Sequence, residues 1–210
     1  LNLFTDIRKE LDYFEIDGAF GGNQDWFTNV VMHIGGCAAA TACDCCIYFA
    51  KHMDMGKLYP YDIAHLSIED YKRFSQVMKP YISPRVSGVR KISWFISGFE
   101  KYIGDAGTAG QLGMEEFPGT RTVKEAEGLV KSQINQGMPV PVLLLQHKDR
   151  EQFKDYIWHW FLIVGYGQES GVFKVKTATY GEAVWFSLKD LWETGFAEKG
   201  GLVKLTLLKK

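Results

Sequence analysis

The sequence predicts an α+β fold, with a helical first half packed on an antiparallel sheet formed by the second half. Three observations carry that expectation. Up to Asn135 the apolar residues recur at helical spacing, whereas after Gly137 they fall into short runs separated by turn residues. Behind Gly35 and Gly36 comes CAAATACDCCIYFAKHM, whose small apolar residues suit a helix packed closely on all sides. Helices first and strands later is the order of an α+β chain.

Taken in order, Leu3, Phe4, Ile7, Leu11 and Phe14 are in helical step and predict a short amphipathic helix or arm. Gly18, Gly21 and Gly22 mark a turn, followed by NQDWF (Asn23–Phe27) and then the central buried helix from Cys37. Ser67–Lys79 carries Ile68, Tyr71, Phe74 and Met78 on one face, with Ser67 and Asp70 as a cap-like pair. Val89–Ile103 repeats the spacing and stops at Gly104. Gly107–Gly113 (GTAGQLG) lacks the lysine and strand of a phosphate loop and reads as a flexible loop. Residues 57–120 are therefore a candidate helical insertion or lid within a single domain spanning 1–210. Thr122–Gln136 is a further helix, with Val123, Ala126, Val130 and Ile134 in step. Strands follow at Pro139–Gln146, His159–Gly167, Gly171–Ala178, Ala183–Leu188 and Gly201–Lys210.

Composition narrows the function. A 46% hydrophobic, 14% aromatic chain has the material for a core, which argues against disorder. With 24 basic and 25 acidic side chains and no long single-sign run, the footprint of a nucleic-acid binder is missing. Apolar runs such as Val140–Leu145 fall short of the ~20 residues of a membrane span. The opening LNLFTDIRKELDYF does not have the pattern of a signal peptide. All four cysteines (Cys37, Cys43, Cys45, Cys46) lie within ten residues, so no distant partner exists for a disulfide framework. Reduced thiols in a cytoplasmic protein are the expectation. The C-x-C-C run has no second cysteine pair, so no metal site is expected.

A thiol becomes a nucleophile where its pKa is lowered, and the first turn of a helix is such a place. Cys37 occupies that position, while Cys43, Cys45 and Cys46 sit further in, as core residues. Among the histidines, His159 opens the apolar strand HWFLIVGYG, where a ring can be held rigidly at a sheet edge as a general base requires. His147 falls in QHKDREQFKD, which reads as a solvated hairpin loop, and His33 lies on the approach to Cys37. Asp25 and Asp44 read as cap and surface positions, and Trp26 and Trp158 as candidate walls of a substrate groove.

In combination, Gln24 in GGNQDWF, Cys37 in GGCAAAT, GMPVPVLLLQ, His159 in HWFLIVGYG, and KTATYG resemble the papain-like cysteine peptidases. The likeness is to the bacterial branch related to bacteriocin-leader-processing peptidases and covers roughly residues 18–190. It implies a papain-like fold, no cofactor, and a peptide or small amide substrate. It also implies Cys37 as nucleophile, His159 as base and acid, and Gln24 as oxyanion donor, with Asn23 as fallback. The residue orienting the histidine should fall at Thr177 or Ala178. Neither is a carboxylate or amide, so Thr177 is the candidate third member. That departure opens the alternative of a catalytically inactive papain-like module binding a peptide or protein partner. A thiol acyltransferase is the other alternative, because it shares the acyl-enzyme.

Overall fold

The computed structural model describes residues 7–85 and 88–208. The chain is α+β. It runs β1 (Ile7–Glu10), β2 (Glu15–Ile16), β3 (Ala19–Phe20), α1 (Val30–Gly35), α2 (Cys37–His52), α3 (Ile68–Met78), α4 (Ile92–Asp105) and β4 (Leu112–Pro118). It continues with α5 (Val123–Asn135), β5 (Val140–Leu144), α6 (Arg150–Phe153), β6 (His159–Glu169), β7 (Val172–Thr179), β8 (Glu182–Ser187), α7 (Leu188–Trp192) and β9 (Gly201–Leu207). The main sheet is antiparallel in the order β4-β9-β5-β6-β7-β8, with β1 pairing the far half of β6. Among the described residues, no helix is long and apolar enough to cross a membrane.

Side-chain alternation along the strands sorts the core into two layers, one on each face of the sheet. Leu143 and Leu145, with Trp160, Leu162 and Val164 of β6, join α2, α3 and α4 in one cluster. Val142, Leu144, Phe161 and Ile163 face the opposite way, onto α5, α6 and α7. The pairing of β6 with β7 shifts register between Ile163 and Gly165. That bulge puts Tyr166 back on the α5 side, although strict alternation would turn it toward α2.

α2 is buried through most of its length, from Cys37 to Phe49. Its alanines let neighbours approach closely: Tyr71 of α3 lies against it, and its hydroxyl reaches the Ala40 carbonyl at 3.2 Å. Ser67 caps α3 by accepting from the Asp70 N–H, and Thr122 and Glu125 form a reciprocal capping box on α5.

Several segments depart from the sequence expectation. Ile7–Glu10 is a strand, not part of a helix; residues 1–6 of that expected element lie outside the described residues. Beyond the end of β5 the edge of β6 would be left unpaired, and β1 covers it. Gly107–Gly113 is a loop only as far as Gln111, because Leu112 begins β4, which pairs along its whole length with β9. Within residues 57–120, whose standing as an insertion or lid this does not decide, Leu58, Phe74, Phe95, Phe99 and Tyr102 belong to the same cluster as α2.

His147 is buried, not solvated. Its Nε2 lies 2.8 Å from the Asp190 carbonyl and its Nδ1 accepts from the Asp149 N–H at 3.0 Å, which fixes the Nε2–H tautomer. Phe153, fully buried in the second cluster, draws this polar stretch inward.

Candidate active site

Gly36 ends α1 and Cys37 begins α2, so the Cys37 sulfur sits at a helix start where backbone N–H groups lack intrahelical partners. A Cβ at Gly36 would lie 2.3 Å from the Met32 carbonyl oxygen, which is why the junction between the two helices takes glycine. Cys37 is 7% exposed. Burial pushes its thiol up from the ordinary value, and outweighs the N–H groups of Trp160, Ala38 and Cys37 itself, which act to lower it. Cys43, Cys45 and Cys46 are wholly buried along the same helix.

His159 is the first residue of β6 and is 4% exposed. It shares with Cys37 and Gln24 the wall of a cavity no larger than one water molecule, completed by Tyr71, Thr179 and Tyr180. Among the described residues, no hydrogen bond joins the Cys37 sulfur to the His159 ring. Among the described residues, the ring nitrogens contact Thr179 and Tyr180 instead: Nε2 lies 2.8 Å from Thr179 Oγ1, and the Tyr180 hydroxyl is 3.4 Å from Nδ1.

The two contacts differ in kind. The His159 and Tyr180 rings are parallel within 2°, with centroids 4.6 Å apart, so the hydroxyl lies over the imidazole face and not along the in-plane lone pair. The Tyr180 hydroxyl has a carbonyl to donate to, Asp155 O, at 3.2 Å. This arrangement fits an Nε2–H donating to Thr179 and leaves the Nδ1 lone pair as the basic site. Burial alone pulls His159 down to about 3, so the ring is neutral at pH 7.

The hydroxyl on the imidazole is thus that of Thr179, not Thr177. The register pairs Thr177 with Ile163, four residues along β6 from His159, and the Thr177 hydroxyl donates to the Val184 carbonyl at 3.0 Å. Thr179 lies two residues nearer the His159 end of the ladder. After it, Tyr180 and Gly181 both have positive φ (54° and 71°) and join β7 to β8 as a two-residue hairpin. Trp158, immediately before His159, also has positive φ, 52°. Strained non-glycine residues of this kind cost about 1–3 kcal/mol each and gather at functional sites.

Gln24 opens a single helical turn, Gln24–Trp26, capped by Asn23, whose side chain accepts from the Asp25 N–H. Asn23, the fallback oxyanion donor, caps this turn through its Oδ1. Gln24 Nε2 donates to the His33 carbonyl at 3.1 Å, which orients the amide, and Gln24 Oε1 is buried without a partner. A buried orphan acceptor on a cavity wall marks a place for a polar occupant.

Asp44, read from sequence as a surface residue, is buried two turns along α2 from Cys37. It accepts from the Tyr71 hydroxyl (2.7 Å), the Tyr13 hydroxyl (2.8 Å) and the Gly22 N–H (3.1 Å). Burial raises its carboxyl to about 6 in spite of those donors. Through Gly22 it ties the Gln24 loop to the helix that carries Cys37. A spacing of seven residues puts Cys37 and Asp44 on one helix face, a signal present in the sequence.

On its outer side Cys37 also borders a surface groove of about 340 Å³, whose walls include Ile34, Arg85, Arg90 and Trp158. Trp158 is thus at the groove, 42% exposed. Trp26 lines neither space; it packs edge-on against Tyr71 and beneath Gly181. No protein-family model matches the chain, and no curated protein matches it either.

Proposed function

We propose that the protein is a papain-like thiol hydrolase cleaving a peptide or other amide, with Cys37 as nucleophile and His159 as base. The observation that carries this reading is the shared cavity. A thiol at the first position of a buried helix and an imidazole at the first position of a strand line one space, with Gln24 on the same wall. With thiol and imidazole both neutral at rest, the ion pair is not preformed, and proton removal accompanies attack. The sulfur bonds to the carbonyl carbon as its proton passes to Nδ1. The resulting oxyanion meets the N–H groups of the first turn of α2 and the second hydrogen of Gln24 Nε2. Collapse breaks the C–N bond, and the imidazolium gives its proton to the departing amine. Water then hydrolyses the thioester with His159 again as base.

The test is covalent capture. A peptidyl chloromethyl ketone should alkylate Cys37 in the native protein, and His159→Ala should slow that labelling by about two orders of magnitude or more. Labelling of Cys37 at the same rate in both proteins would remove His159 from the chemistry and sink the proposal.

A second reading, an inactive module that binds a peptide, is favoured by the hydroxyl at Thr179, where a carboxylate or amide would orient the imidazole more strongly. Thr179→Asn is the discriminating variant. A gain of turnover from none would support the inactive reading, and turnover by the native protein would reject it.

A further inference from the structure

The groove outside Cys37 has a chemistry of its own. The inner cavity takes no more than a single small molecule or one oxygen atom, so any acyl group must lie in the outer groove. Its volume suits one or two residues of a peptide. Two of its walls are arginines, Arg85 and Arg90, both exposed. Among the described residues neither is ion-paired with a carboxylate, and none of the residues lining the groove is acidic.

The Arg85 guanidinium lies 4.0 Å from the centroid of the Trp94 ring, a contact that holds its planar group in place while leaving the N–H edge available. The other walls are apolar: Ile34, 76% exposed, and Trp158, presented outward by its left-handed backbone. With a chain charge of −1, the two cations are a local feature and not part of a general positive field.

Resting on the hydrolase reading, we infer that this groove selects substrates bearing a carboxylate, an acidic side chain within two residues of the scissile amide, next to an apolar residue. Arginine recognises a carboxylate through two parallel N–H···O bonds, and the apolar neighbour covers Ile34 and Trp158.

The experiment uses capped hexapeptides of Ala and Phe in which a single Glu is walked through the sequence, each paired with its Gln counterpart. Binding is measured on the Cys37→Ala protein and turnover on the native one. The Glu peptide of the best pair should bind at least about tenfold more tightly than its Gln partner. That preference should shrink to within about twofold in R85Q/R90Q and weaken with added salt. Both arginines are exposed, so the variant is expected to fold, which circular dichroism checks. Glu-selective binding without turnover would uphold the groove and sink the hydrolase. Turnover indifferent to Glu would overturn the groove and leave the hydrolase standing. Binding of neither peptide, or a phosphoserine peptide preferred over the Glu one, would overturn the inference.

Discussion

His159 and Asp44 sit on the same cavity and push stability in opposite directions as the pH falls. His159 goes from about 6.5 in the unfolded chain to about 3 when folded, so the unfolded state binds its proton first. Its contribution is complete above pH 6.5 and is lost as pH falls toward 3, by at most about 4–5 kcal/mol. Asp44, raised to about 6 from 3.8, does the reverse: folding is penalised above pH 6, and the penalty lifts as pH falls through that window. His159→Gln should therefore flatten the acid limb of a urea-unfolding series between pH 6.5 and 4, and Asp44→Asn should steepen it. A limb unchanged in both variants would refute the assignment. The threonines separate cleanly as well. On the proposed hydrolase reading, Thr179→Val removes the Nε2 partner and should lower kcat by about 10- to 100-fold, by analogy with other residues that orient a functional group. Thr177→Val acts on the Val184 carbonyl and should cost about 1 kcal/mol of stability instead. Sequence pointed to the hexapeptide KTATYG and to Thr177 within it, whereas the hydroxyl in contact with the imidazole is that of Thr179. The choice between 177 and 179 depends on the ladder between β6 and β7 and on the bulge at Val164, and neither is written in local composition.

At the scale of elements, the turns around the cavity are the constrained parts. A Cβ on Gly22 would stand 1.9 Å from the Tyr71 hydroxyl and 2.5 Å from Asp44 Oδ1, both in a packed interior that has no room to yield. Gly22→Ala should lower stability by about 1–3 kcal/mol and, on the proposed hydrolase reading, depress turnover by displacing Gln24; calorimetry and steady-state kinetics read the two effects. On α5, whose cap is far from the cavity, Thr122→Ala should cost about 1 kcal/mol and lower the melting temperature by about 2–4 °C without touching the chemistry. The central helices were legible because each carries its own start and stop: Ser67 before α3, Thr122 before α5, and Gly137 behind it. β1 and β4 were not. Ile7–Glu10 has a helical pattern and becomes a strand because β6 offers it an edge. Leu112–Pro118 has no clear alternation in sequence, and is a strand because β9 lies alongside. Asp44 was misjudged for a related reason. A lone carboxylate in an Ala-rich run looks solvated until two tyrosines, 31 residues before it and 27 after it, are brought to its oxygens.

Across the whole molecule, the sheet is the partition between two helical layers, and it draws strands from both halves of the chain. β1 and β4 precede α5, yet they sit beside β6 and β9 in the same sheet as the later strands. β9 has a place between β4 and β5, so the last strand among the described residues completes the interior of the sheet and not its margin. A ribosome releasing this chain would leave β4 without its neighbour, and the inner edge of β5 bare, until residues 201–207 had cleared the exit tunnel. Closure of the sheet thus waits on β9, and a chain truncated at Gly200 should stay open to protease, whereas one that carries residues 201–207 free of the ribosome should resist it.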